Sequence, residues 1–162
     1  MPLRKNDGFA EEHNRPDMIT YNNIVHSIED FFNRHLQVKQ FLCLDNYDEE
    51  ALENIYVTAL LVPQQSSING SQLTLNFNLF IVDLLNADGS NKKDVYSDTL
   101  DIIRDFVAYF TGSPCIEFTI NESTTLTPIN EKFADDIVCG WVLTFGIDLP
   151  FSLNTCNIPF EE

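Results

Sequence analysis

Between Ile137 and Leu149 the chain reads IVCGWVLTFGIDL, and its odd positions, Ile137, Cys139, Trp141, Leu143, Phe145, Ile147 and Leu149, are all apolar. An extended backbone alternates its side chains, so these groups share one face of a long strand and that face must be buried. The even positions, Val138, Gly140, Val142, Thr144, Gly146 and Asp148, are smaller and more polar. They suit a face that meets solvent or another subunit's backbone. A strand of this length cannot stand alone, so the rest of the chain must supply strands to pair with it and helices to cover it.

Those elements are legible upstream. Ile24, Val25, Ile28, Phe31, Phe32 and His35 recur at helical spacing, with Asn22, Asn23, Glu29, Asp30 and Asn33 on the other side and Thr20 or Asn22 placed to cap. His35 falls at the end of this helix, where a cation complements the helix dipole. Phe41–Leu44 and Tyr56–Val62 read as short strands, the second closed by Pro63, with a polar turn over Gln64–Gly70. Leu73, Leu75, Phe77, Leu79 and Ile81 alternate with Thr74, Asn76 and Asn78, a half-buried strand forming an antiparallel hairpin with the one before it. After a loop over Asp83–Asp94, a second helix carries Tyr96, Leu100, Ile103, Phe106, Val107 and Phe110 inward and Asp98, Asp101, Arg104 and Asp105 outward. Gly112 and Pro114 stop it. Cys115–Ile120 reads as a short strand and Asn121–Asp136 as a long polar connection. The expected fold is α+β: a mostly antiparallel sheet with two helices packed on one face, as one domain over residues 18–150.

Residues 1–17 show no periodicity and read as an extended N-terminal arm, with Phe9 its one large aromatic side chain. Residues 151–162 form a C-terminal tail too short for a core of its own. Phe9, Phe151, Leu153, Ile158 and Phe160 are therefore the candidate subunit-interface residues, apolar groups that a neighbouring molecule could cover.

The 25 acidic and 9 basic side chains give a formal net charge of −16, spread along the chain. Phosphate contacts need clustered Lys and Arg, so binding to a nucleic-acid backbone through the general surface is disfavoured. Such a surface suits a wall past which DNA slides without sticking. Asp48, Glu49, Glu50 and Glu53 crowd one loop and Asp83–Asp94 holds another acidic stretch, but neither has calcium-loop spacing. Cys43, Cys115, Cys139 and Cys156 lie far apart, without a Cys-x-x-Cys pair or a His at ligand spacing, so no metal site is expected and the thiols read as reduced. No apolar run reaches membrane-spanning length, and no hydrophobic core follows the basic start of the chain, so neither a membrane partner nor a signal peptide is expected.

Phosphate-binding glycine loops, His-Glu-x-x-His and Gly-x-Ser-x-Gly are all lacking, and the histidines, His13, His26 and His35, stand apart from any nucleophile in sequence. No catalytic residue and no cofactor are nominated, and the expectation is a protein that is not an enzyme.

Met18-Ile-Thr-Tyr-Asn-Asn-Ile24, Asp94-Val-Tyr-Ser-Asp-Thr-Leu-Asp-Ile-Ile103, Thr125-Leu-Thr-Pro128, Asp136 with Gly140-Trp141, and Leu149-Pro150 resemble small virion proteins of tailed phages that infect Bacteroidetes, including the crAss-like phages. The order of elements is more distantly similar to the tail terminators and neck-ring proteins of tailed phages. The resemblance covers most of residues 18–158; the arm and the apolar tail depart from it. It implies a tail-terminator-like fold and a ring-forming subunit at the head-to-tail junction. Its partners would be copies of itself and adjoining portal, connector or tail-tube proteins. DNA would pass through without specific binding, and the protein would reside in the host cytoplasm during assembly and then in the virion. Two other classes compete: an acidic DNA mimic that inhibits a host nucleic-acid-binding protein, and a small hydrolase assembled from distant carboxylates.

Overall fold

The computed structural model describes residues 18–44, 55–133, 135–150 and 155–160. Helix α1 spans Tyr21–Arg34 and begins at the expected cap: the Thr20 hydroxyl accepts from the Asn23 backbone N–H while the Asn23 side chain accepts from the Thr20 N–H. Satisfying two end donors reciprocally fixes where the first turn starts. Ile24, Ile28, Phe31 and Phe32 are its buried stripe. His35 closes the helix, its backbone N–H reaching the Phe31 and Phe32 carbonyls and its Nε2 lying 3.1 Å from Asp105 Oδ2.

Six strands form one sheet: β1 (Gln40–Cys43), β2 (Thr58–Pro63), β3 (Ser67–Asn69), β4 (Gln72–Leu84), β5 (Thr125–Phe133) and β6 (Asp136–Pro150). Their order across the sheet is β1-β2-β4-β6-β5, with β3 beside the first residues of β4. Only β1 and β2 run parallel; every other pair is antiparallel. The fold is α+β. The expected turn over Gln64–Gly70 contains β3, whose return to β4 is a tight turn at Gly70, where φ is +58°. A left-handed backbone there favours glycine, which has no Cβ to clash.

Strand β6 lies inside the sheet between β4 and β5, in register with β4 from Gln72↔Pro150 to Leu84↔Val138. On the odd face Phe77, Leu79 and Ile81 of β4 join Leu143, Phe145, Ile147 and Leu149 of β6 in a single core with both helices. Helix α2 (Lys92–Gly112) contributes Ile102, Ile103, Phe106 and Phe110 to it. Phe106 is wholly buried, with ring centroids of Phe32, Phe110 and Phe145 within 5.6 Å. Removing such a side chain from water stabilises the fold by about 2–3 kcal/mol.

Several expectations need correction. The stretch 121–136 is not a connection: Thr125–Phe133 is strand β5, paired with β6 from Thr125↔Thr144 to Phe133↔Asp136. It reads as polar because it is an edge strand, with most of its side chains exposed. Cys115–Ile120 is not a strand; only Ile120 makes an isolated bridge, to Ile147, and buried Phe118 and Ile120 anchor the segment by their side chains. In α2 the buried stripe runs through Val95, Thr99 and Ile102, with Leu100 only partly covered. Thr99 fits because its hydroxyl donates to the Val95 carbonyl, 2.6 Å away, and so enters the core satisfied. The loop before α2 is shorter than expected because β4 runs on to Leu84. There Asn91 ties the turn together, its amide donating to the Leu84 carbonyl and accepting from the Asn86 N–H.

Candidate assembly surfaces

The even face of β6 is not uniformly open. Val138, Gly140 and Val142 are buried there, and Val82 and Val138 pack with Tyr56, Phe80 and Ile129. Ile137, expected inside, is 45% exposed. Towards the other end the same face turns polar. Thr74 donates to Asp148 at 2.6 Å, Thr144 to Asn78 at 2.8 Å, and Asn76 to the Gln65 carbonyl at 2.9 Å. By register, Thr125 and Thr127 of β5 extend this array. Between Glu131 and Asp136 at one end and Asp148 at the other, these strands place no ionisable side chain on this face. In a chain of net charge −16, the part of this face that meets solvent, at Asn76, Asn78, Thr125, Thr127 and Thr144, is neutral.

Acidic groups gather instead on the helical side. Asp94, Asp98, Asp101 and Asp105 are exposed along α2. Asp101 is paired to Arg104 at 2.9 Å and Asp105 faces His35. Two of the four therefore already have partners.

The β5 edge has a defined chemistry. The Asn121 N–H donates to the Gly146 carbonyl at 2.7 Å, so even residues of β6 turn their backbone groups towards β5. Thr127↔Val142 and Ile129↔Gly140 are then the hydrogen-bonded pairs, and Pro128 between them turns its ring nitrogen outward. A proline is tolerated in a sheet only where its missing N–H faces no partner strand. Tyr96 secures this edge from above: its backbone carbonyl accepts from Trp141 Nε1 at 2.9 Å and its hydroxyl donates to the Ile129 carbonyl at 3.2 Å.

A cleft of about 330 Å³ opens between the outer side of α1 and the segment after α2. Asn23, His26, Ser27 and Asp30 form its helical wall, Tyr109 one end, and Cys115, Ile116, Glu117 and Phe118 the opposite side, with Ile19 at the rim. Arg34 braces it, donating to the Tyr109 hydroxyl at 2.9 Å and pairing with Asp30 at 3.0 Å. The Tyr109 hydrogen bond and then Asp30 hold the guanidinium pKa above its usual value. His26 and Glu117 make no hydrogen bond or ion pair among the described residues. No local pattern announces this cleft, because its walls come from segments about 90 residues apart that only folding brings together.

Of the candidate interface residues, Phe9, Phe151 and Leu153 lie outside the described residues. Ile158 and Phe160 follow a short 3₁₀ turn at Thr155–Asn157 and are 39% and 79% exposed. No described helix is long and apolar enough to cross a membrane. Among the described residues no group of three His, Cys, Asp or Glu side chains could hold a metal ion. Cys139 is fully buried, and burial pushes its thiol pKa up, so it is a packing group without thiolate reactivity.

No protein-family model matches this chain, and no curated protein matches it either.

Proposed function

We propose that this chain is a non-catalytic structural subunit that assembles with copies of itself, forming the ring at the phage head-to-tail junction implied by its sequence resemblance. The supporting observation is the uncharged, solvent-facing end of the even sheet face, built from Asn76, Asn78, Thr125, Thr127 and Thr144. Molecules each carrying a net charge of −16 repel one another, and close approach is cheapest where neither presents a charge. Interface centres are depleted of charged groups for the same reason. The acidic row on α2 suits a lumen wall, where carboxylates keep the DNA backbone from adhering. Tail-terminator and neck-ring positions are both compatible with this chemistry.

The acidic DNA mimic draws on the same row. Asp101 and Asp105 are already engaged by Arg104 and His35, so the helix offers few free carboxylates at a regular repeat. The assembly reading accounts for more of the surface.

Negative-stain imaging of the recombinant chain, with imaging of purified particles, tests the proposal. Closed rings and matching density at the neck are expected. A chain that stays monomeric at all concentrations and salt levels, or that turns over a substrate through a single essential carboxylate, would overturn it.

A further inference from the structure

We infer that His35 is an acid-sensitive latch: its neutral ring holds the Leu36–Gln37 turn, and its protonation releases that turn while tightening the link between the two helices. The contacts of the ring fix its tautomer. Nδ1 lies 3.3 Å from the Gln37 backbone nitrogen, and a backbone N–H can only donate, so this ring nitrogen accepts. A neutral imidazole then carries its one proton on the other nitrogen, and Nε2 faces an acceptor, Asp105 Oδ2, at 3.1 Å. The uncharged ring satisfies both contacts.

Protonation reverses one of them. Nδ1 then carries a hydrogen of its own and stands donor to donor against the Gln37 N–H, a contact that no longer attracts. At Nε2 the same proton turns a neutral hydrogen bond into a charge-assisted one. The ring is held in place, its side chain only 13% exposed, tilted against Phe31 with centroids 5.7 Å apart and anchored to Asp105. The turn is not held: Leu36 is 89% exposed and Gln37 is exposed beside it. The turn therefore gives way and the ring stays. Buried Val38, whose N–H donates to the His35 carbonyl at 3.3 Å, limits the change to the two residues between them.

The charges around the ring favour this response. Asp105 touches it from α2, and the ring sits at the C-terminal end of α1, where the helix dipole favours a cation. Two cations close by in sequence oppose it, but both are engaged and exposed. Arg34 pairs with Asp30 and donates to the Tyr109 hydroxyl of α2, and the Lys39 ammonium donates to the Leu36 carbonyl at 3.0 Å. Solvent screens these more than it screens a carboxylate in contact with the ring. On α2, Asp101 is paired to Arg104.

Histidine-selective nitrogen-15 labelling of the full-length chain tests the proposal, with His13→Gln and His26→Gln assigning the His35 signals by elimination. At about pH 8 the ring should carry its proton on Nε2. On lowering the pH to about 5, Gln37 amide protection, measured against the exchange rate of an unstructured amide, should fall about fivefold in step with ring protonation. Asp105→Asn keeps an acceptor for Nε2 but removes the charge, so the Gln37 transition should move to lower pH while the turn at about pH 8 is unchanged. A proton on Nδ1 of the neutral ring, Gln37 protection that stays constant while His35 titrates, or a transition that Asp105→Asn leaves in place overturns the proposal.

Discussion

The carbonyl oxygen of Ile81 occupies the space that a side chain on Gly140 would need, so β4 sits against β6 at a position that has no Cβ. The backbone of β4 lies on the far side of that contact, so no side chain can move aside to make room. Gly140→Ala should lower unfolding stability by about 3 kcal/mol, the upper range for overpacking a core. Gly112→Ala is the control. Nothing lies within 4 Å of its Cβ position, and the helix gains up to about 0.5 kcal/mol from alanine's better propensity. Chemical denaturation of the two variants measures the contrast.

Phe106 is the hinge of the aromatic cluster that joins both helices to the sheet. Phe106→Ala should destabilise the fold by about 4 kcal/mol, because the void is framed by rings that cannot collapse into it. Phe160→Ala should change stability by less than about 0.5 kcal/mol, since the ring is 79% exposed. Its effect, if the tail is an interface, belongs in sedimentation profiles and not in the thermal melt.

Tyr56 donates to Asp136 at 3.1 Å, and burial, followed by that hydrogen bond, pushes its pKa up to about 12. A raised phenol pKa means that the folded state holds its proton where the unfolded chain, near 10, has lost it. The associated stability is complete below about pH 10 and is lost as pH rises through 12. Tyrosinate absorbance should show one phenol titrating late, and Asp136→Asn should bring it earlier. A late phase that persists in Tyr56→Phe would assign the shift to another residue.

Tyr96→Phe removes the hydroxyl that reaches the Ile129 carbonyl and should cost about 1 kcal/mol. Hydrogen exchange should show the loss concentrated in Thr125–Phe133, because that hydroxyl ties the edge strand to α2.

Elements with strong periodicity were legible before folding. The alternation over Ile137–Leu149 and the stripe from Ile24 to Phe32 each declare one buried face, and the cap at Thr20 declares where the first helix starts. Strand β5 was not legible, because an edge strand with exposed Asn130, Glu131 and Lys132 carries no alternating apolar signal. Pro128 also argues against a strand unless its outward orientation is known. Val138 escaped for a related reason: it packs with Tyr56, Phe80 and Ile129, on a loop and two other strands. The cleft depends on Cys115–Phe118 folding back against α1, a contact between sequence-distant segments that no local pattern encodes.

Pro128 sets a boundary on how copies can join. A ribbon that grows by adding strand to strand needs an unbroken row of donors along its margin, and here the row is interrupted at its middle. Under the proposed assembly, docking through side chains would leave the sheet at its native width, which favours closed particles over open-ended fibres.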